Sequence, residues 1–156
     1  EAPGFSQGSV TKQTIVVRTD LNLNAGQIAT QVAHASMMWL TKKIQHGVVV
    51  EERLEKNGVL EQRPPFMKAD PGCIDLRRLS FTAEQSQWIR GPFTKIVLSV
   101  ASKEDLLALR DVAAADGLTV EMPQESMLGG EPTCVAIGPH EAEKIDPITG
   151  HLKTLR

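Results

Sequence analysis

The chain has 156 residues and a mass of 17.0 kDa, with 41% apolar and 23% charged residues, the make-up of one soluble globular domain built on a single core. Seventeen Lys and Arg against nineteen Asp and Glu leave a net charge of −2, which excludes coating of nucleic acid by bulk charge and confines any RNA contact to a local patch. No apolar run nears the ~20 residues of a bilayer span, and Cys73 and Cys134, far apart and outside any CxxC pair, argue against a disulfide framework or structural zinc and for a reducing, cytoplasmic setting.

Residues 1–11, rich in Gly, Ser and Pro, are expected to be disordered. Glu1 to Val10 has neither the basic flank nor the apolar stretch of an intact targeting peptide, although a trimmed precursor would look the same. Thr14 to Arg18, with Ile15-Val16-Val17 at its centre, predicts a buried strand. Asn24 is a good N-cap, and the helix after it is predicted to run to about His46, with Gly47 as its stop. Ile28, Val32, Ala35 and Trp39 form its apolar stripe, and Gln27, Gln31 and His34 a polar stripe beside it. The charge pattern of residues 48–60 favours more helix, stopped by Asn57-Gly58, and residues 61–80, with three prolines, read as irregular. Phe81 to Arg90 predicts a short helix capped by Thr82. Thr94 to Val100 predicts a strand, and Ser102 caps a helix that Gly117 ends. Leu118 to Met122 and Thr133 to Ile137 predict strands on either side of a loop holding Gly129-Gly130. Pro139 is placed at the first position of a short helix to Ile145, followed by a turn and a tail. The expected fold is a single-domain three-layer α/β/α sandwich on a four-stranded mixed sheet, with right-handed parallel crossovers.

Charge is uneven along the chain. Residues 42–95 carry ten basic and seven acidic groups, and residues 96–156 five basic and ten acidic. Either both are solvated surfaces, or the middle segment faces a polyanion. Walker, GxGxxG, HExxH and Gly-x-Ser-x-Gly patterns are absent, so those routes to nucleotide, metal or acyl chemistry are disfavoured. Of four scattered histidines, His34 stands out because it shares the polar stripe with Gln27, so that both could border one cleft. A buried His with one hydrogen-bond partner is the alternative. Phe66, Phe81, Trp88 and Phe93 could stack on a base or seal the mid-chain segment.

Arg18-Thr19-Asp20-Leu21 and the run from Gly26 through Gln27, Gln31 and His34 to Ala35 resemble the first motif of the type II peptidyl-tRNA hydrolases, R-x-D-L followed by G-K-x-A-A-Q-x-x-H-A-A. Thr133 to Pro139 resembles that family's T-V-L-A-I-G-P strand, and Asp146 to Lys153 its D-K-V-T-G-H-L-K ending. The likeness covers roughly residues 12–46 and 94–155, leaving residues 47–80 as an insertion inside a domain of residues 12–156. It implies a mixed-sheet α/β fold, commonly dimeric, that hydrolyses the ester between a peptide and the 3′ end of tRNA without metal or cofactor. It implies catalytic roles for Gln27, where the family has Lys, for Glu121, where it has Asp, and for Thr133, with His34 beside them. Asp20, Gln31, Glu125, Gly130, Lys42 and Lys43 are the expected substrate contacts, and the acceptor end of peptidyl-tRNA the expected partner. A neutral Gln in place of an ammonium is a large loss in an electrostatic site, so a non-catalytic binding module of the same fold, for RNA or protein, is the alternative. A mitochondrial location is compatible with the resemblance.

Overall fold

A computed structural model describes residues 9–45, 53–56, 59–62 and 79–156. The chain divides into two compact units, one of Glu1–Trp39 with Phe81–Arg156 and one of Leu40–Ser80.

In the first unit, strand β1 covers Thr11–Arg18, three residues earlier than the apolar run suggested, and every residue in it is buried. Burial on both faces explains the unbroken Ile15-Val16-Val17. Helix α1 covers Ala25–Gln45; His46 and Gly47, offered as its end, lie outside the described residues. Ala35 packs with Ile15, Val17, Cys134 and Ala136, and Ile28 and Val32 lie partly buried against that cluster. Trp39, one turn on, is buried edge-on to Trp88, with ring centroids 6.2 Å apart. The predicted stripe is therefore the face α1 turns to the sheet.

In the second unit, the described part of the 48–60 segment, residues 53–56 and 59–60, is strand where helix was expected. Strands β2 (Arg53–Lys56) and β3 (Val59–Gln62) pair antiparallel, with Lys56 opposite Val59. A two-residue separation at Asn-Gly is a hairpin signal stronger than the local charge pattern; Asn57-Gly58 itself lies outside the described residues.

Helix α2 (Ala83–Arg90) opens with the reciprocal bonds of a capping box, Gln85 N–H to Thr82 Oγ1 at 3.2 Å and Thr82 N–H to Gln85 Oε1 at 3.0 Å. Trp88 of this helix is an internal ring whose Nε1–H donates to Thr94 O at 2.8 Å. It lies beside the start of β4 (Lys95–Val100), where Gln13 N–H donates to Thr94 O. The aromatic group thus belongs to the entry end of β1 and β4, and Phe66 lies outside the described residues. Helix α3 (Lys103–Ala115) is capped by Ser102 as expected.

The loop between the last two predicted strands is more ordered than a simple excursion. After β5 (Val120–Glu121) come β6 (Gln124–Glu125), a turn of 3₁₀ helix at Ser126–Leu128, and β7 (Glu131–Pro132) paired back on β6. Gly129 and Gly130, at φ +68° and +81°, hold the left-handed conformations that this tight return needs. Strand β8 (Cys134–Glu141) runs through the predicted helix start at Pro139, and α4 occupies Ala142–Thr149. Two features explain the shift. Pairing with β1 continues to Lys12↔His140 and Thr11↔Glu141, and Pro139, which has no N–H to donate, sits where the register slips between Lys12 and Thr14. The tail forms β9 (Lys153–Thr154), which pairs with β4 and makes a fifth strand where four were expected.

The sheet order is β5-β8-β1-β4-β9, with β1 and β4 parallel and the other pairs antiparallel. Val16, Leu98, Val100 and Val135 meet Leu106 of α3 on the face away from α1, and Ile137 meets Ile145 and Ile148 of α4 there. The α/β/α layering is as expected.

Candidate functional site

The carboxyl end of β1 organises the site. Arg18 N–H donates to Thr133 O at 3.1 Å, and its Nη1 donates to Pro132 O at 2.9 Å, so one residue fixes two successive carbonyls ahead of β8. The same buried guanidinium forks onto Asp20 through Nε and Nη2 at 3.0 and 2.7 Å and reaches Glu131 at 2.8 Å. Lys103, at the start of α3, donates to the other Glu131 oxygen at 3.0 Å. The hydrogen bonds from Arg18 hold the Asp20 carboxyl below its ordinary range, and those from Arg18 and then Lys103 do the same for Glu131. The hydrogen bond with Asp20 raises Arg18 in turn. Two cations and two anions here balance one another.

On the α1 side, Thr133 Oγ1–H donates to Gln31 Oε1 at 2.8 Å, and Gln31 Nε2–H donates to Glu125 Oε2 at 2.6 Å. Thr133 and Gln31 are buried, while Glu125 is half-buried. The run leads from the interior to the surface. Its polarity is set by the carboxylate, because a turned amide would place oxygen against oxygen at Glu125. Thr133, fully buried, therefore gives its proton to an amide oxygen and anchors the inner end of the run. Gly130, a predicted contact, supports this geometry through the backbone, its N–H donating to Glu125 O at 3.0 Å. Burial pushes the neighbouring Cys134 thiol up to about 11, which removes it as a thiolate nucleophile near neutral pH.

The remaining expected residues sit elsewhere or act differently. Gln27 is exposed in the first turn of α1, where Gln27 N–H donates to Asn24 Oδ1 at 2.9 Å and Asn24 N–H donates to Gln27 Oε1 at 3.0 Å. That pair is a capping box, so the side chain standing where the family has an ammonium holds the helix end. Gln27 is one turn before Gln31 on the same stripe. Asp20 is committed to Arg18. Glu121 lies in β5 opposite Ala136, three residues along β8 from Thr133. His34 is exposed and takes no part in the run. Lys42 and Lys43 close the last turn of α1, and Lys43 Nζ donates to Ser80 O at 2.6 Å. Sequence reasoning had Arg18 only as part of a motif and missed Glu131 and Lys103. Arg and Asp two apart at a strand end share a face and were a usable signal; the distant partners gave none. Among the described residues no group of three or more His, Cys, Asp or Glu could hold a metal ion, and no helix is long and apolar enough to cross a membrane.

A mixed five-stranded sheet between helices is the architecture of an α/β/α sandwich. A solved structure titled as a protein of unknown function from Agrobacterium tumefaciens shares the fold, with a TM-score of 0.50 at 13% identity over 94% of this chain and 98% of that one. The family itself follows from sequence: the family described as peptidyl-tRNA hydrolase PTH2 matches residues 11–155, and the chain belongs to it. Among its relatives, the peptidyl-tRNA hydrolase of Methanopyrus kandleri is 33% identical over 149 residues, 93% of this chain and 98% of that protein. That of Haloquadratum walsbyi is 32% identical over 145 residues, 90% and 96% of the two chains. The human protein named peptidyl-tRNA hydrolase 2, mitochondrial, is 30% identical over 157 residues, 98% of this chain and 69% of that one.

Proposed function

We propose that this chain hydrolyses the ester joining a peptide to the 3′ end of tRNA, with no cofactor. The observation that carries the reading, beside family membership, is the hydrogen-bonded run Thr133–Gln31–Glu125 at the carboxyl end of the sheet. Thr133, fully buried, gives its proton to Gln31 and so holds the Gln31 amide toward Glu125. Glu125, rather than Glu121, is the carboxylate bonded into the run at its surface end and takes a proton from the attacking water as the water oxygen bonds to the ester carbon. The Gln27 carboxamide, one turn along α1 with its oxygen held by Asn24, turns its NH₂ to the developing oxyanion. The carbon–oxygen bond to the ribose then breaks, and Glu125 returns the proton to the departing 3′ oxygen. The products are a free peptide carboxylate and tRNA. Thr133 is not the nucleophile in this scheme, because the amide oxygen holding its proton is no base.

The test is release of the acyl group from an N-acetylated aminoacyl-tRNA. Release by the wild type, lost in Thr133→Ala and cut on the order of 10²-fold or more in Glu125→Gln, is the expected result. A wild type no faster than buffer rejects it.

One observation favours a second reading, a binding module without the chemistry. Gln27 brings no charge, and the nearby cations Arg18 and Lys103 are matched by Asp20 and Glu131. Under that reading Gln27→Lys creates activity the wild type lacks. A homodimer enters through the family resemblance, and a cytoplasmic location through the absence of a cysteine framework in the sequence. Sedimentation at 17.0 kDa would contradict the dimer. The mitochondrial name of the human relative makes fractionation the check on location.

A further inference from the structure

Glu131, Pro132 and Thr133 are consecutive, and all three are bonded to Arg18. The first accepts through its carboxylate at 2.8 Å, the others through their carbonyls at 2.9 and 3.1 Å. The inner end of the Thr133–Gln31–Glu125 run is thus tied to Arg18. Its outer end is tied to the same residue by a second route. Glu125 and Glu131 are directly opposite partners in the β6–β7 pair, and Gly130 N–H closes the turn onto Glu125 O at 3.0 Å. Directly opposite residues of an antiparallel pair project from one face, with Cβ atoms about 4.5–5.5 Å apart, where like charges oppose each other.

The two carboxylates have different partners. Glu125 accepts from Gln31 Nε2 of α1 at 2.6 Å. Glu131 accepts from Arg18 on one oxygen and from Lys103, at the start of α3, on the other at 3.0 Å. Those bonds hold the Glu131 carboxyl below its ordinary range, so it is a standing charge near neutral pH. Two carboxylates that share a site without such partners force one of them to keep a proton. The elements around Glu125 also carry Glu121 on β5 and His34 on α1.

We propose that Glu131, with Arg18 and Lys103 on its two oxygens, is a positioning residue for the reaction: it turns the Glu125 carboxylate toward Gln31, while the two cations take up its charge so that Glu125 can act as a base beside it. The inference rests on the hydrolase reading. Glu131 touches neither the water nor the ester and acts only through Glu125. Arg18 also carries backbone carbonyls, so Lys103 is the cation whose removal probes the charge alone.

The experiment follows the ¹³C carboxyl signal of Glu125 against pH, with kcat and KM for N-acetylated aminoacyl-tRNA measured in parallel. It compares the wild type, Lys103→Met, Lys103→Arg and the double variant Lys103→Met with Glu131→Gln, each shown folded by its melting curve. Glu121 and His34 are unchanged in all four, so a displaced titration reports Glu131 and its cations. In Lys103→Met the charge of Glu131 loses one of its two partners. The Glu125 signal and the acid limb of kcat should then move together to higher pH, by about 0.5 unit or more, with KM nearly unchanged. Lys103→Arg keeps the charge and should titrate like the wild type, and the double variant should move both readings back. Readings that stay in place in Lys103→Met, or a displacement that the double variant does not reverse, overturn the proposal. A rise in KM with an unmoved acid limb makes Lys103 a phosphate contact and overturns it as well. A wild type that releases nothing rejects the hydrolase reading, and the carboxyl signal then decides by itself whether the two glutamates are coupled.

Discussion

Thr133 is buried without cost because its hydroxyl has a partner, Gln31, and Gln31 in turn has Glu125; a buried polar group left unpaired costs about 1–3 kcal/mol. Each member of the run therefore secures the next. Thr133 was legible as a motif residue, and Gln31 as the position one turn beyond Gln27. That Gln31 rather than Gln27 meets the threonine was not legible, because Gln27 is drawn off by a local bond to Asn24. Arg18 gives a second prediction at this scale. Asp20 and Glu131 titrate below their ordinary range when folded, chiefly through Arg18. The unfolded chain then binds more protons than the folded one near and below about pH 4. This contribution to stability is complete above the unfolded values and is lost as pH falls through the folded ones. Urea midpoints measured from pH 6 down to about pH 3 should drop, and the drop should be shallower in Arg18→Met. Parallel acid limbs in the two proteins would contradict it.

At the scale of elements, the helix starts were readable because caps are local. Asn24, Thr82 and Ser102 each stand where the sequence put them. The misread segments are those settled by distant pairing. The 48–60 segment carries a helical charge pattern, yet Arg53–Lys56 pairs as a strand with Val59–Gln62, and the Pro139 region continues a strand because β1 lies alongside it. The first turn of α1 yields the prediction that couples stability to chemistry. Gln27→Lys removes the carboxamide that accepts from Asn24 N–H, so it should cost about 0.5–1 kcal/mol. It also adds an ammonium beside the run and should raise kcat for acyl-tRNA hydrolysis. Thermal melts and kinetics on one preparation read both effects. A variant more stable than the wild type, or no faster, counts against a cap that displaces a catalytic cation.

The whole molecule depends on close passage at the β1–β8 seam. Gly138 has φ +95°, and a Cβ there would sit 2.7 Å from Lys12 O and 2.9 Å from His140 N. Both are backbone atoms that have no rotamer to yield. Gly138→Ala should thus be among the most damaging small substitutions, at about 3 kcal/mol or more, seen as a fall in urea midpoint with unchanged slope. A loss under about 1 kcal/mol would contradict the tight seam. The layered α/β class was legible because the apolar runs and stripes of β1, α1, β4 and α3 are strong. The fifth strand was not, since β9 has only two residues, both exposed, and is defined by its pairing with β4 rather than by any apolar pattern. The Arg18–Glu131–Lys103 bridge was hidden for the same reason, joining residues 113 and 28 positions apart.

The rate of acyl release from N-acetylated aminoacyl-tRNA by Gln31→Met tests the central claim most directly, at a temperature where its melting curve shows it folded. A side chain of similar length that neither donates nor accepts strongly breaks the run between Thr133 and Glu125. The account predicts kcat lower by on the order of 10²-fold with KM nearly unchanged. Wild-type turnover in that variant would contradict it.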